Sequence, residues 1–412
     1  MQRRDWISGI VCFVIAAFTA TPTAWGQTYK ILYNFSRSGG RSPYAGVILD
    51  SAGNLYGTAP NGGLHAAGVI FKLDPSGNET VLYNFTGGAD GDHPGSGVIR
   101  DSAGNLYGTT SAGGLCAGCG VVFELDAAGN ETTLYSFTGG TDGGRPVAVV
   151  ALDSAGNLYG TTSADGITTA KCATLTSIPG CGVLFKLDKA GNETVLHSFT
   201  GGADGGKPGA GVILDSAGNI YGTDEYGAKC RGCGVAFKVD AAGNLTVLHS
   251  FGGRTDGIMP MSGLIQDSAG NLYGTTEYGG VRGGLCGNGG CGTVFKVDTA
   301  GSETVLYRFT GSDGSIPLSS LVQDSAGNIY GTAYAGGVTT GTCATLGGTG
   351  MPGCGLVFKL DAAGDLTLLH TFTGPDGASP MAGLTLDSAG NLYGTTQHGG
   401  ASGGGVIFKL TP

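Results

Sequence analysis

The sequence is poor in charge, in tryptophan and in long apolar segments. Charged residues make up 13% of the 412 residues, about half the ~25% typical of soluble domains, and no basic cluster occurs. Nucleic acid and anionic membranes are therefore unfavourable partners, because both are bound mainly through clustered Lys and Arg. After the N-terminal region, no segment of the sequence approaches the roughly 20 consecutive apolar residues that a membrane-spanning helix needs. Both tryptophans, Trp6 and Trp25, lie close to the N-terminus.

Glycine is the residue in excess. The 83 Gly and 14 Pro residues indicate a chain with many turns. Glycine has no three-residue period and 41% of the residues are apolar, which excludes both collagen and simple disorder. A repetitive β protein remains.

The N-terminal segment has the pattern of a secretion signal. Arg3 and Arg4 precede an apolar segment from Ile7 to Ala20, and Ala24 and Gly26 are the small residues that signal peptidase prefers. The sequence predicts a signal peptide at 1–26 and a mature domain at 27–412, exported to the periplasm or the extracellular space.

Four short motifs recur along the chain. Each copy of Asp-Ser-Ala-Gly-Asn leads into an apolar-Tyr-Gly-Thr segment, and the Tyr always lies six residues after the Asp. A segment centred on Phe and a segment like Thr-Val-Leu-Tyr-x-Phe follow. Their β-branched and aromatic residues, bounded by Gly, Asn and Asp, are typical of strands and hairpins. The seven copies of the first motif begin at Asp50, Asp101, Asp153, Asp215, Asp267, Asp324 and Asp387.

Four strands repeated seven times predict an all-β fold, a seven-bladed β-propeller of four-stranded antiparallel blades. The apolar first strands should be the most buried, with burial decreasing outward. The chain starts with a fourth-type strand, Ile31 to Phe35, and ends with a third-type strand, Val406 to Leu410. We expect the N-terminal strand to pair with the C-terminal blade and close the ring.

Length variation is concentrated in the loop between the second and third strands. The Tyr-to-Phe interval across this loop runs 15, 16, 26, 16, 22, 28 and 15 residues, whereas the third-to-fourth hairpin keeps a Phe-to-Phe interval of 14. In a propeller these loops share one face with the interblade connections. We expect recognition on this variable face, and neutral drift of tolerated insertions is the alternative.

Ten cysteines form five close pairs within the variable loops. Export favours their oxidation, and no His or further Cys stands beside them as zinc or redox chemistry would require. The predicted disulfides are Cys116–Cys119, Cys172–Cys181, Cys230–Cys233, Cys286–Cys291 and Cys343–Cys354.

The interblade connections carry a Thr-Gly-Gly-x-Asp-Gly pattern that we interpret as a turn. Calcium binding is the alternative, although each loop supplies one carboxylate rather than the clustered oxygen ligands of a calcium loop. The pattern's Asp is kept at Asp90, Asp142, Asp204, Asp256, Asp313 and Asp376.

Catalytic residues are not evident. His197, His249 and His370 stand where other copies have Tyr and are interpreted as packing residues. The Glu residues before the fourth strands are interpreted as solvated charges. No nucleophile motif accompanies the remaining histidines, so we predict a non-enzymatic protein without a cofactor, metal or catalytic residue. These Glu residues are Glu79, Glu131, Glu193 and Glu303.

One polar cluster is a candidate ligand site. Pairs of Glu and Tyr occupy equivalent positions early in two successive variable loops, with Tyr in the next repeat and Arg nearby. Aromatic rings beside carboxylates can stack on sugars and accept their hydroxyl hydrogen bonds. The candidate residues are Glu225, Tyr226, Glu277, Tyr278, Arg282 and Tyr334.

The combined motifs Asp-Ser-Ala-Gly-Asn-Leu-Tyr-Gly-Thr-Thr, Gly-Val-x-Phe-Lys-Leu, Leu-Tyr-x-Phe and Gly-Gly-x-Asp-Gly resemble those of the bacterial GloVer tandem-repeat proteins over essentially the whole mature chain. The resemblance implies an exported bacterial protein, commonly with a C-terminal surface anchor. This sequence departs from that pattern, since it stops at Pro412, two residues past its last predicted strand. The Asp-x-x-Gly-Asn-Leu-Tyr hairpin also resembles that of NHL propellers.

Three functions follow as hypotheses. The leading one is an exported binding or surface-associated propeller, which we expect to be a monomer whose partner is a glycan or a protein of the cell envelope. The alternatives are a propeller enzyme of the lactonase or lyase type and a self-associating structural envelope protein.

Overall fold

The computed structural model describes residues 27–175, 179–227, 230, 232–253, 255–346 and 351–412. The predicted signal peptide at 1–26 lies outside these residues. Seven four-stranded antiparallel sheets make up the described chain. In six of them the strands pair in sequence order, and in the seventh the N-terminal strand pairs with the last strand of the chain. This arrangement confirms the seven-bladed β-propeller.

Each blade contains a first, second, third and fourth strand, counted outward from the central channel. The first strands are Ile48–Leu49, Val98–Arg100, Ala151–Leu152, Ile213–Leu214, Ile265–Gln266, Val322–Gln323 and Thr385–Leu386. The second strands are Leu55–Ala59, Leu106–Thr110, Leu158–Thr161, Ile220–Asp224, Leu272–Thr276, Ile329–Ala333 and Leu392–Thr396. The third strands are Val69–Leu73, Val121–Leu125, Val183–Leu187, Val235–Val239, Thr293–Val297, Leu356–Leu360 and Val406–Thr411. The fourth strands are Glu79–Asn84, Glu131–Ser136, Glu193–Ser198, Leu245–Ser250, Glu303–Arg308, Leu366–Thr371 and, for blade seven, Thr28–Asn34.

The two ends of the chain share blade seven, as predicted. Thr28 pairs with Thr411 and Asn34 with Val406, so the N-terminal strand is the outer strand of the C-terminal blade. The Tyr29 ring stacks on His370 of blade six at 3.8 Å between centroids. The closing strand is therefore tied to its own sheet and to the neighbouring blade.

Burial is greatest in the second and third strands, not in the first. Leu55–Ala59 is buried throughout, whereas Ile48–Leu49 is only partly buried. The predicted outward gradient is therefore wrong at its inner end, because the short first strands line an open central channel. The fourth strands are again partly exposed, as expected for outer strands.

Phenylalanine pairs connect successive blades. The Phe that follows each fourth strand meets the Phe of the next blade's third strand, edge to face in six of the seven seams. Phe85 meets Phe123 at 5.2 Å, and Phe35 of blade seven meets Phe71 of blade one at 5.2 Å. All four of these rings are fully buried. Such pairs contribute about 0.5–1.5 kcal/mol beyond their buried area, so the repeated Phe positions form the seams between blades.

The Tyr-Gly-Thr motif also serves the seams. In the second strand, the Thr223 hydroxyl donates to the Ser262 carbonyl of the next blade at 2.9 Å, and Thr395 of blade seven donates to Ala45 of blade one at 2.9 Å. These hydrogen bonds continue across the point where the chain ends meet, which makes the ring structurally continuous.

The Asp-Ser-Ala-Gly-Asn motif closes the hairpin between the first and second strands. The Asp50 carboxylate accepts hydrogen bonds from the Ala52 and Asn54 amides, the Asn54 side chain and the Tyr56 hydroxyl. Burial alone would raise the pKa of Asp50, but these hydrogen bonds outweigh it and lower the pKa. The strict Asp-to-Tyr spacing is thus the spacing of one side-chain network.

The described parts of the variable loops contain three single-turn helices: Cys172–Leu175, the 3₁₀ turn Gly284–Cys286, and Cys343–Leu346. The sequence did not predict them, because one turn is too short to show helical periodicity. None of the helices in the described residues has the length and apolar content needed to cross a bilayer.

Candidate functional site

The variable face consists of the loops between second and third strands and of the interblade connections, and the two are hydrogen-bonded to each other. The loop after each second strand pairs with the preceding interblade connection, as in the bridges Gly206 to Tyr226 and Ile258 to Tyr278. The length variation predicted for one face therefore lies on a backbone that is hydrogen-bonded at the base of each loop.

All five predicted disulfides are present and all lie on this face. Their Cα–Cα distances run from 4.8 Å for Cys286–Cys291 to 5.3 Å for Cys116–Cys119. The bridges lie close to the interblade glycines, since a Cβ at Gly139 would stand 3.0 Å from the Cys119 sulfur. Each bridge therefore fixes a variable loop near the adjoining seam.

The interblade Asp residues bind the donors of their own loops. Asp90 accepts hydrogen bonds from the Thr86 amide and the Tyr83 hydroxyl through Oδ2, and from the Thr86 hydroxyl through Oδ1. The His that replaces Tyr in other blades reaches the same carboxylate, as His370 Nε2 lies 2.9 Å from Asp376 Oδ2. Among the described residues, no group of three or more His, Cys, Asp or Glu is placed to hold a metal ion.

The Glu residues before the fourth strands are not the solvated charges expected. Burial and the neighbouring Asp142 carboxylate raise the pKa of Glu193 to about 7, and burial and Asp256 raise that of Glu303 to about 7. The sequence could not show this, because the facing Asp belongs to the preceding interblade connection.

The predicted Glu and Tyr pairs do converge, at the junction of blades four and five. Glu225 and Glu277 are 4% and 9% exposed, and Lys207 Nζ lies 3.2 Å from Glu225 Oε2 and 5.1 Å from the centre of the Tyr226 ring. Burial and the charge of Glu225 raise the pKa of Glu277 to about 7, although a hydrogen bond with Tyr278 and the charge of Lys207 act against the shift. We call Lys207, Glu225, Tyr226, Glu277 and Tyr278 the polar cluster.

The other two candidate site residues, Arg282 and Tyr334, are not part of the polar cluster. Arg282 donates from Nη2 to the Gly253 carbonyl at 2.6 Å, which ties its loop to the connection between blades four and five. Tyr334 is 8% exposed and packs in an apolar cluster with Ile316 and Met351. Its ring is therefore mostly covered by the protein.

Sequence reasoning missed Lys207 and Asp224. Lys207 is the residue before an interblade proline, a position with a positive φ in every blade, 69° here, and its pairing with Glu225 depends on the contact between loop and connection. Asp224 is fully buried, and this burial raises its pKa well above the usual range. Four of the other six copies have Thr at this position and two have Ala, so the acidic side chain was its visible signal.

The central channel is lined by small and apolar residues. The cavity of about 330 Å³ is surrounded by all seven blades, including Tyr44, Val98, Val147, Met261 and Leu318. Its lining, all within the described residues, contains no Asp, Glu, His, Lys or Arg.

The fold and its one variable face define the class of this molecule, a seven-bladed β-propeller that displays disulfide-bonded loops on one side. The sequence profile of the Gloeobacter/Verrucomicrobia repeat matches residues 16–170 and 172–344. The chain belongs to this repeat family.

Solved structures share the fold at low sequence identity. The extracellular domain of a protein described as a hybrid two-component system of B. thetaiotaomicron aligns over 93% of this chain with a TM-score of 0.55 and 14% identity. A second such domain from that organism aligns over 92% with a TM-score of 0.57 and 11% identity. This chain spans only 41% and 39% of the length of those two chains. No curated protein matches the sequence.

Proposed function

We propose that this chain is an exported, non-enzymatic binding protein that recognises its partner with the variable face. The observation that carries the proposal is the contrast between the two faces. One face carries the loops of unequal length and five disulfides, whereas the other repeats the same Asp-closed hairpin. A rigid scaffold with variation confined to one side is the usual design of a recognition surface.

The disulfides also support export. Bonds of this kind persist in oxidising compartments and are rare in the bacterial cytosol. By loop-closure entropy each contributes roughly 2–3 kcal/mol, so the variable loops would hold their shape outside the cell. The predicted signal peptide fits the same destination.

The polar cluster supports a saccharide as the ligand. Its two Tyr rings remain partly exposed, and the two nearly buried carboxylates beside them are held in place by Lys207 and Tyr278. Sugars are bound by such rings, since ring faces stack on the C–H surfaces of the sugar while the tyrosine hydroxyls bond its hydroxyl groups.

The test is calorimetric titration and thermal-shift measurement of residues 27–412 against neutral and acidic oligosaccharides. We expect at least one to bind, and the Tyr226→Ala and Tyr278→Ala variants to weaken it by at least about tenfold. Tyr44→Ala is the matched control, because Tyr44 is 39% exposed at the channel mouth but belongs to blade one.

Two results would contradict the proposal. Equal affinity in the wild type and both Tyr variants would remove the polar cluster as the site. A melting temperature lowered by a chelator and restored by Ca²⁺ would favour a metal site, and with it the enzyme hypothesis.

A further inference from the structure

Large apolar side chains are exposed mainly on the variable face. In four blades the exposed residue is the one that follows the same loop glycine: Leu64, Leu115, Ile167 and Val281 are 81%, 72%, 45% and 37% exposed. We call these four residues the crown. Single exposed apolar residues are normal on any surface, but repetition of one position on one face indicates an interaction surface.

The crown is presented on a fixed backbone. The Leu64 amide donates to Asn84 Oδ1 at 2.9 Å, and the preceding Gly63 donates to the Arg37 carbonyl at 3.0 Å. Gly114, before Leu115, donates to Gly88 at 2.9 Å, and Leu115 itself precedes a disulfide cysteine. Little conformational entropy remains to be lost when such side chains are covered, which favours association.

The same face contains a groove of matching chemistry. Between the loops of blades six and seven lies a cavity of about 590 Å³, lined mainly by Gly374, Pro375, Gly400 and Ala401. His398 also lines it, and burial and the nearby Arg41 charge lower the pKa of this side chain. The groove is therefore uncharged near neutral pH and open to an aliphatic side chain.

The distribution of charge over the two faces favours one orientation for a second copy of the chain. The chain has a formal net charge of −10. The face opposite the crown carries thirteen hairpin Asp residues, seven in the first hairpins and six in the second, such as Asp101 and Asp126, whereas six interblade Asp residues lie on the crown side. Two copies would repel each other least if their crown faces met and their acidic hairpin faces pointed away.

We propose that the partner of this surface is a second copy of the chain. Leu115, the central residue of the crown on blades one to three, enters the groove between blades six and seven of the other copy, with Leu64 and Ile167 against its flanks, about a two-fold axis. Such an arrangement is self-complementary, because each copy supplies both the projecting side chains and the groove, and it closes at a dimer. The monomer expected from the sequence would then be the form present at low protein concentration.

Self-association uses the recognition face of the proposed function but different residues. The crown and the groove lie outside the polar cluster, yet both ligands would cover the same side of the ring. A bound saccharide should therefore shift the equilibrium toward the monomer, and a second copy should weaken saccharide binding by the same factor.

The test is sedimentation velocity of residues 27–412 over about a hundredfold range of concentration. We expect the wild type to pass from monomer to dimer. The double variant L64S/L115S removes the projecting side chains, and Ala401→Trp fills the groove, so both should raise the dimer dissociation constant by at least about tenfold.

Leu368→Ser is the matched control, since Leu368 is 40% exposed but lies on a fourth strand away from the crown. A wild type that stays monomeric throughout, or a control that loses as much affinity as L64S/L115S, would overturn the proposal. Unchanged melting temperatures would show that the variants fold. Saccharide binding by L64S/L115S would show that the proposed function stands even if self-association fails.

Discussion

At the residue scale, a side chain is most informative where it departs from its equivalents in other blades. At the last position of the second strand, Thr110, Thr276 and Thr396 each donate their hydroxyl to the carbonyl two residues later at 2.9 Å. Blade four has Asp224 there, fully buried, with one carboxyl oxygen lacking any partner among the described residues. Asp224 is therefore an imperfect replacement for Thr.

Asp224→Thr should stabilise the protein by about 1–3 kcal/mol, the cost of an unsatisfied buried polar group. Because burial raises the pKa of Asp224 in the folded state, the stability it contributes at low pH is lost as the pH rises through the folded value. The gain from Thr should therefore be larger at pH 8 than at pH 5, as measured by chemical denaturation. Asp224→Asn is the control for charge alone; a variant with the wild-type pH dependence would contradict this account.

The glycine of the Tyr-Gly-Thr motif is required by the residue across the sheet. A Cβ at Gly222 would lie 2.6 Å from Cζ of Phe237, and the same clash recurs in other blades, as between Gly57 and Phe71 at 2.7 Å. The strict repetition of Gly thus follows from the strict repetition of Phe, and not from a turn.

Gly222→Ala should destabilise the protein by about 1–3 kcal/mol through overpacking. Phe237→Leu makes room, so the double variant should cost less than the sum of the two single changes. Gly209→Ala is the control, because a Cβ there meets nothing within 4 Å. Additive costs, measured by denaturant unfolding, would show that the clash relaxes elsewhere.

At the scale of elements, the strands and hairpins could be predicted because the residues that define them are neighbours in sequence. Asp101, Asn105 and Tyr107 form one local network, so their spacing directly reports the hairpin. The short helix at Cys343–Leu346 and the pairing of Lys207 with Glu225 could not be predicted. The helix is too short for periodicity, and the ion pair joins two segments that only the folded loop brings together.

The seams between blades contain Glu side chains with raised pKa values, which the sequence alone could not show. Oε1 atoms of Glu193 and Glu303 are buried and have no hydrogen-bond partner among the described residues. Glu193 faces Asp142, while Glu303 faces Asp256 and Arg308. These two seams therefore each place a Glu beside a second carboxylate, which favours the protonated form of the Glu.

The unfolding free energy should fall as the pH rises from about 4.3, the usual Glu pKa, to about 7, the folded pKa of both residues. A raised folded pKa contributes stability below the unfolded value and loses it above the folded value. The variant E193Q/E303Q should flatten this window, raising the melting temperature by about 1–3 °C at pH 8, since both groups are partly exposed to solvent. Glu124→Gln is the control; an unchanged slope in E193Q/E303Q would place the titration elsewhere.

At the scale of the whole molecule, a single ring of blades carries variable loops on one face and repeated hairpins on the other. The same Thr, Phe and Gly positions fix every seam, so the loops of unequal length on one side do not disturb the hairpins on the other. The closing strand Thr28–Asn34 completes this ring through pairing with Val406–Thr411 rather than through a covalent hairpin. Stability of the variable face should therefore depend on a strand at the far end of the sequence.

Deletion of residues 27–35 should lower the melting temperature by more than about 10 °C. The deletion exposes the edge of Val406–Thr411 and removes the Phe35 to Phe71 contact and the Tyr29 hydrogen bond to the Asp376 carbonyl, 2.6 Å long. The matched control moves Tyr29–Phe35 behind Leu410 through the hairpin sequence Asp126–Asn130, which gives blade seven the covalent connection of the other six. This permuted chain should melt close to the wild type, because it keeps the pairing of Tyr29–Asn34 and the contacts of Tyr29 and Phe35 and loses only the terminal pair of Thr28 with Thr411. Equal melting of the deletion variant and the wild type would mean that the ring holds without its closing strand, and calorimetry on the three proteins decides between these outcomes.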